Sequence, residues 1–337
     1  MILNLILIVA LLAVAVLYAS FGLFSAFLQV VATLIAGALA FALWEPIAAL
    51  LANLIPGYAS AVGLVVPFGL LLLLIRYGLD KAAPSDLKFP GLVDQLAGAA
   101  VGLIAGALTL GVVLLGAQFL PLPVSLLGYQ PYELDARGRP TPTANLWVPV
   151  DAATADVYQF LSAGAFSSST PLHRVYPDLH RSAATSRLAA EAALNQAAAP
   201  SALTVTAAGE LDRVPGALAD AFPDGATAYA IEIEHAEGTA GGFDSDNKLR
   251  VPAYQSALLT EQGQELFPLG FRREAAGTDN AGIDGTVFAT DEQNAIAVLP
   301  AAPGTLTWYF AIPAGDAAAA YRFRNARLGL TPTTPTN

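Results

Sequence analysis

The apolar positions divide the chain near residue 120. Residues 2–19 form an uncharged run in which Asn4 is the only strongly polar side chain, close to the roughly 20 residues that cross a bilayer as a helix. Ser20-Phe21-Gly22 interrupts it before a second run, residues 23–43, which stops at Trp44-Glu45-Pro46. The third run, residues 58–77, contains Pro67, which neighbouring helices can accommodate in lipid. Residues 92–120 are the fourth. The stretch 46–55 is apolar but short, and is expected as an interfacial or re-entrant piece. Trp44, Tyr58 and Tyr77 sit at segment ends, where aromatic rings favour the headgroup region. The pattern predicts a four-span transmembrane domain over residues 1–120.

Beyond residue 120 the period changes. Pro121, Pro123, Pro131, Pro140 and Pro142 predict a stiff, extended connector over 121–145. Residues 150–162 and 182–199 read as helices, the second rich in strong helix formers and stopped by Pro200, giving a helical segment over 146–200. From residue 202 short alternating runs take over, separated by Gly, Asp and Pro clusters: 203–206, 228–234, 253–260, 265–272, 286–289, 296–299, 305–312 and 321–330. Short alternating runs of this kind are antiparallel strands, and their number fits an immunoglobulin-like β-sandwich over 201–330. Residues 331–337 are expected as a frayed tail. The fold class is therefore α+β in separate parts: an all-α four-helix transmembrane bundle, a small helical segment and an all-β sandwich.

Composition sharpens the division. Hydrophobic residues make up 55% of the 337 and charged residues 13%, about half the share of a soluble domain, which argues against an ordinary soluble enzyme. Of 27 acids and 16 bases, residues 1–120 hold four and three, leaving 23 acids and 13 bases to the remainder. That acidic balance, without a basic cluster, speaks against nucleic acid or anionic lipid headgroups as partners. Arg76, Lys81 and Lys88 lie at or between the ends of spans three and four. The positive-inside rule then places that loop in the cytoplasm, with the amino terminus, the loop 46–57 and everything after residue 120 outside. The first run lacks a positive leading region and a cleavage-like segment, so it is expected to stay as a span. With no cysteine and Met1 the only methionine, disulfides, thiolate nucleophiles, cysteine-ligated zinc and Met-rich copper sites are excluded.

Within the fourth span, Gly98, Gly102 and Gly106 recur at four-residue spacing, followed by Gly111 and Gly116. Small residues so spaced let helix backbones approach closely, here as packing within the bundle or as a homo-oligomer seam. Asp94 and Arg76 fall near span ends, which disfavours a conduction path, since transport sites keep ionisable groups inside a bundle. Gln29 and Gln118 are expected as interhelical hydrogen-bonders.

The order of a short first span, a Gly-marked turn, a second span ending at a Trp/Pro loop, and a fourth span reading Leu92-Val-Asp94-Gln-Leu-Ala-Gly98-Ala-Ala-Val-Gly102-Leu-Ile-Ala-Gly106 resembles the colicin V production protein (CvpA) family. The resemblance covers residues 1–120 and rests on Asp94 and the three glycines. Where the family tends to carry bases, this chain has Ala19-Ser20-Phe21-Gly22, Gln95 and Ala105. The resemblance implies a four-span protein of the bacterial inner membrane, associated with the envelope and with export, and it brings no catalytic residues. Trp147, residues 160–164 and residues 176–179 resemble the helical stretch that larger four-span relatives place before a β-rich terminal domain.

The polar residues complete none of the usual catalytic or metal-binding constellations. Relatives joined to a trypsin-like protease need His, Asp and a Ser in a glycine-rich turn. The histidines are His173, His180 and His235, but Ser245 and Ser256 lack that setting and no Gly-x-Ser-x-Gly occurs. His173 and His180 are separated by Pro177, which argues against one metal-binding helix face. Residues 244–248 begin like a calcium loop but carry Lys248 at the fifth position, and residues 279–285 read as an Asx/Gly turn. Glu232 and Glu234 share a strand face without a partner in a cleft. No catalytic residue, metal or cofactor is expected. The sequence reads as a non-enzymatic membrane scaffold whose partners are the lipid bilayer, a further copy of the chain and an envelope protein. The alternatives are an export subunit gated by its soluble domain and, less favoured, a membrane-anchored hydrolase.

Overall fold

The computed structural model describes residues 2–51, 54–55, 57–82, 90–120, 122–123, 125–136, 138–143, 146–167, 171–191, 203–235, 249–275, 287–291, 296–299, 304–324 and 326–330. The apolar block forms α1 (Ile2–Phe21), α2 (Leu23–Leu51), α3 (Ala59–Ala82) and α4 (Gly91–Gln118). Each is long and apolar enough to cross a membrane, and together they make this a multi-pass membrane protein. Three further helices follow: α5 (Val150–Ala163), α6 (Leu172–Val175) and α7 (Leu179–Glu191).

One boundary differs from the sequence reading. The second helix does not stop at Trp44 but carries Pro46 inside it and continues to Leu51. Proline removes only its own N–H, and the Ile-Ala-Ala-Leu-Leu that follows sustains the helix. The Trp44 indole, fully buried, donates to the Ser60 carbonyl at 3.0 Å and fixes this end of α2 against α3.

Between α1 and α2 the chain reverses over a single residue, Gly22, at φ +87°. A side chain there would be strained, and a Cβ would stand 2.5 Å from an Asp94 carboxylate oxygen. Asp94 uses this space to accept the Leu23 N–H at 2.8 Å, so α4 supplies the cap that α2 lacks in its own sequence. At the same end, the Arg76 guanidinium donates to the Ser25 carbonyl at 2.7 Å and hydroxyl at 2.8 Å, and pairs with Asp80 at 3.0 Å.

The glycines of α4 mark where other helices press against it. A methyl group on Gly98 would lie 2.7 Å from the Tyr18 carbonyl oxygen, one on Gly102 would collide with the Tyr18 side chain near its root, and one on Gly106 would meet Val14 at 2.9 Å. The ladder therefore packs against α1 of the same chain. Gly116 faces Val65 of α3, while Gly111 faces Thr154 and the Val150 carbonyl of α5.

Two compact units emerge. One comprises residues 1–131, 143–173 and 178–187; the other comprises 132–142, 174–177 and 188–337. The first thus takes in α5 and part of α7, which the sequence reading set apart from the bundle. In the second, residues 132–142 form a hairpin, β1 (Tyr132–Leu134) with β2 (Pro140–Pro142), where a straight spacer was expected. Asp135 closes that hairpin by accepting the Arg139 N–H at 2.8 Å and its guanidinium at 3.1 Å.

The strands that follow are β3 (Leu203–Glu210), β4 (Thr227–His235), β5 (Leu249–Pro252), β6 (Ser256–Thr260), β7 (Glu265–Leu266), β8 (Gly270–Ala275), β9 (Val287–Ala289), β10 (Ile296–Leu299), β11 (Gly304–Ile312), β12 (Ala318–Phe323) and β13 (Ala326–Leu328). They pair antiparallel as a five-stranded sheet β3-β4-β11-β8-β9, a four-stranded sheet β13-β12-β6-β7 and a two-stranded pair β10-β5. Alternate residues of β11, namely Leu306, Trp308, Phe310 and Ile312, enter one core with Ile231, Ile233, Leu258, Phe271, Tyr321 and Phe323 from the neighbouring strands. On the reverse face Tyr309 packs with Ala230 and Leu218. The long last strand expected over 321–330 is broken at Arg324, whose φ of +53° turns the chain between β12 and β13. Arg322, almost fully buried, pairs with Glu265, donates to the Val175 carbonyl at 2.8 Å and lies over the Tyr176 ring.

The glycine contacts yield a paired test. Ala in place of Gly within a helix normally gains about 1 kcal/mol, and Gly69 has open space around it, so Gly69→Ala leaves thermal unfolding in detergent unchanged or raises its midpoint. Gly102→Ala drives a methyl into the root of Tyr18, an overpacking cost of about 1–3 kcal/mol, and lowers it.

Candidate functional site

Polar side chains converge where α4 ends. Gln118 is the last residue of α4 and Asp151 lies in the first turn of α5; they are 2% and 1% exposed. Tyr129 arrives on a two-residue turn, Leu127-Gly128, with both residues at positive φ (52° and 84°). The turn is closed by reciprocal hydrogen bonds between Leu126 and Tyr129 at 2.9 and 3.0 Å. Leu127 is strained in this conformation, and the strain is held by the packing of Tyr129 and Leu126 against Leu3, Leu7, Leu11, Leu114 and Val150. His180 comes from the first turn of α7.

One carboxylate oxygen organises the cluster. Asp151 Oδ2 accepts from Tyr129 Oη at 2.8 Å, His180 Nε2 at 3.1 Å and Gln118 Nε2 at 3.2 Å, while Oδ1 takes the Ala152 N–H at 2.9 Å. Nε2 of His180 must carry a proton to make its bond, which selects that tautomer or the imidazolium. Burial pushes the Asp151 carboxyl up, but the bond and charge of His180 and the bonds from Tyr129 and Ala152 outweigh it. The net result holds the carboxyl below its ordinary value. The cluster ties the end of α4, the turn after it, α5 and α7 to one ionised group.

His173 sits apart from this cluster, paired with Ser162. The Ser162 hydroxyl gives its only proton to the Gln159 carbonyl at 2.8 Å, and it receives the His173 N–H at 3.0 Å with Nδ1 at 3.2 Å. A hydroxyl so bonded connects α5 and α6. The two histidines thus join different partners. Gln118 does bond between helices, to Asp151, whereas Gln29 reaches Thr33 within its own helix at 3.5 Å. Asp94 caps α2, and Gly98, Gly102 and Gly106 seat α1, as described above. Glu232 accepts the Thr206 hydroxyl at 2.9 Å. Ser256 is fully buried and donates to the Pro252 carbonyl at 3.0 Å. Ser245, the stretch 244–248, the turn 279–285 and the tail 331–337 lie outside the described residues. Among the described residues no group of three metal-capable side chains gathers.

Sequence reasoning missed Asp151 and Tyr129. An acid in the first turn of a helix is ordinary complement to the helix dipole, and a tyrosine in a proline-rich stretch carries no spacing that points at a partner.

The fold thus defines a multi-pass membrane protein whose bundle is closed by a buried carboxylate. Comparison with protein-family models, with curated proteins and with solved structures finds no match to this chain.

The depressed Asp151 value fixes a pH prediction. Its stabilisation is complete above the carboxyl's ordinary value of about 3.8 and is lost as pH falls through the lowered one. Asp151→Asn sets an amide NH₂ against a donor in either orientation. It costs about 1–3 kcal/mol near neutral pH and removes this part of the acid-limb loss, measurable by thermal unfolding from pH 7 down to pH 3.

Proposed function

We propose that the chain is a non-enzymatic scaffold of the bacterial inner membrane, CvpA-like in its four-span block, which holds an acidic β-rich unit on the extracytoplasmic side for an envelope protein to bind. The observation that carries this reading is the placement of charge. Arg76 and Lys81 stand at one end of the bundle, beside the α1–α2 turn and the start of α4. By the positive-inside rule that end is cytoplasmic, and α4, running away from it, delivers the remainder of the chain to the other side. Residues 121–337 carry 23 acids against 13 bases, a surface that stays in solution and avoids anionic headgroups. An immunoglobulin-like sandwich belongs to this reading as the form of the β-rich unit, supported by antiparallel sheets that share one core.

Scaffolding rather than catalysis is favoured by how the polar groups are spent. Asp94, Asp151, Arg76 and Ser162 each join segments of the chain. The Gly98/Gly102/Gly106 face is occupied by α1, so a second copy or a partner would meet the bundle elsewhere.

The absence of cysteine makes the test direct. Cysteine placed at Asp224, an exposed position of the β-rich unit, or at Ala82, the exposed end of α3, is treated in intact spheroplasts with a membrane-impermeant maleimide. The reading expects labelling at 224 and not at 82. Labelling at 82 and not at 224 would reverse the topology and make the acidic unit cytoplasmic.

A further inference from the structure

The helix α5 stands among the spans. Trp44 of α2 lies tilted against Phe119, just past the end of α4, with ring centroids 4.7 Å apart, and bonds Ser60 at the start of α3, so these three residues mark one end of the bundle. Measured from that level, Gly37 lies seven residues and Thr33 eleven residues along α2, about 10 and 16 Å at 1.5 Å per residue. Tyr158 of α5 reaches both: its hydroxyl donates to the Thr33 carbonyl at 2.8 Å, its ring fills the notch at Gly37, and it lies 5.0 Å from the Phe41 ring. Thr154 likewise fills the notch at Gly111, eight residues or about 12 Å from Phe119 along α4. The hydrocarbon core of a bilayer is about 30 Å thick, so the Tyr158 hydroxyl stands near its middle.

Side-chain bonds tie α5 and α7 to the end of α4. Asp151, at the start of α5, bonds Gln118, and His180, in the first turn of α7, bonds the same Asp151 oxygen. The Val150 carbonyl stands with Thr154 at Gly111, so the first turn of α5 already lies below this level, and the Asp151 bonds to Gln118 and His180 tie it back to the end of α4.

We propose that α5 (Val150–Ala163) is a re-entrant element, sunk into the bilayer leaflet on the Trp44 side with its outward stripe in contact with lipid acyl chains. This rests on the reading of α1–α4 as spans. Backbone at such depth is tolerated where it is helical or buried in protein, and α5 is a helix seated between two others. Its outward stripe is Ala153, Asp156, Phe160 and Ala163, with Phe160 79% exposed. Leu39 and Leu43 of α2 and Val113 of α4 are likewise exposed apolar residues of the bundle. Asp156 is the only charge on it. It lies one helical turn before Phe160. The Asp151–His180 bond is the clasp at the mouth of the element.

The test uses the full chain in phosphatidylcholine/phosphatidylglycerol liposomes with one nitroxide-labelled cysteine at a time. Sites are Phe160→Cys and the milder Ala163→Cys on α5, Val9→Cys on the exposed face of α1 as lipid reference, and Asp224→Cys as aqueous reference. Expected is that 160 and 163 group with 9, colliding several-fold more with oxygen than with a water-soluble nickel chelate. If 160 and 163 group with 224 while 9 stays lipid-like, the re-entrant element is wrong and the four spans stand. If 9 itself groups with 224, the span reading fails and this proposal falls with it.

Discussion

Lipid gives helices no hydrophobic reason to prefer one another over acyl chains, so a bundle depends on how closely its backbones approach. In this chain that approach is made at glycines. Tyr18 and Val14 of α1 occupy the space that side chains at Gly98, Gly102 and Gly106 would need, and Gly116 makes room for Val65, Gly37 for Tyr158 and Gly111 for Thr154. The notch at Gly98 accepts backbone of the α1–α2 turn and the others a bulky or branched side chain from another helix, so dispersion contacts replace the missing hydrophobic drive. At Gly98, where the neighbouring atoms are backbone, no side-chain rotation can make room for a methyl group.

Polar groups finish what close packing begins, one carboxylate at each end. Asp94 caps α2 and locks the single-residue reversal at Gly22, while Asp151 gathers donors from four separate stretches of chain. A buried carboxylate is favourable only when its lone pairs are met by donors, as those of Asp151 are; Asp94 is half-buried and takes the Leu23 N–H. The two differ in reach. Asp94 joins three spans at their turn, whereas Asp151 fastens α5 and α7 to the end of α4.

The four spans were legible because a run of some 20 apolar residues has few other meanings, and most strands were legible from alternation, β10 and β11 to within a residue. The role of the glycine ladder followed from its spacing, though spacing alone could not choose between α1 and a second copy. Pro46 misled the reading of α2, since a proline ends a helix in water more reliably than among packed helices. The placement of α5 was illegible for a different reason. Its 14 residues are too short to span, and the amphipathic pattern that seats Tyr158 on Gly37 is the same one that a soluble helix would show. Asp151 and Tyr129 meet only through tertiary structure, 22 residues apart in sequence, with nothing local to announce either.

The seat of α5 on α2 is the feature on which the account turns, and a double-mutant cycle measures it. Gly37→Ala and Tyr158→Leu are each scored alone and together by unfolding of the full chain in detergent. If Tyr158 fills the notch at Gly37, shortening the side chain relieves the clash that the methyl creates. The pair then falls short of additivity by about 0.5–3 kcal/mol. Strict additivity, with both single variants destabilised, would mean that the two residues do not touch and that α5 lies elsewhere.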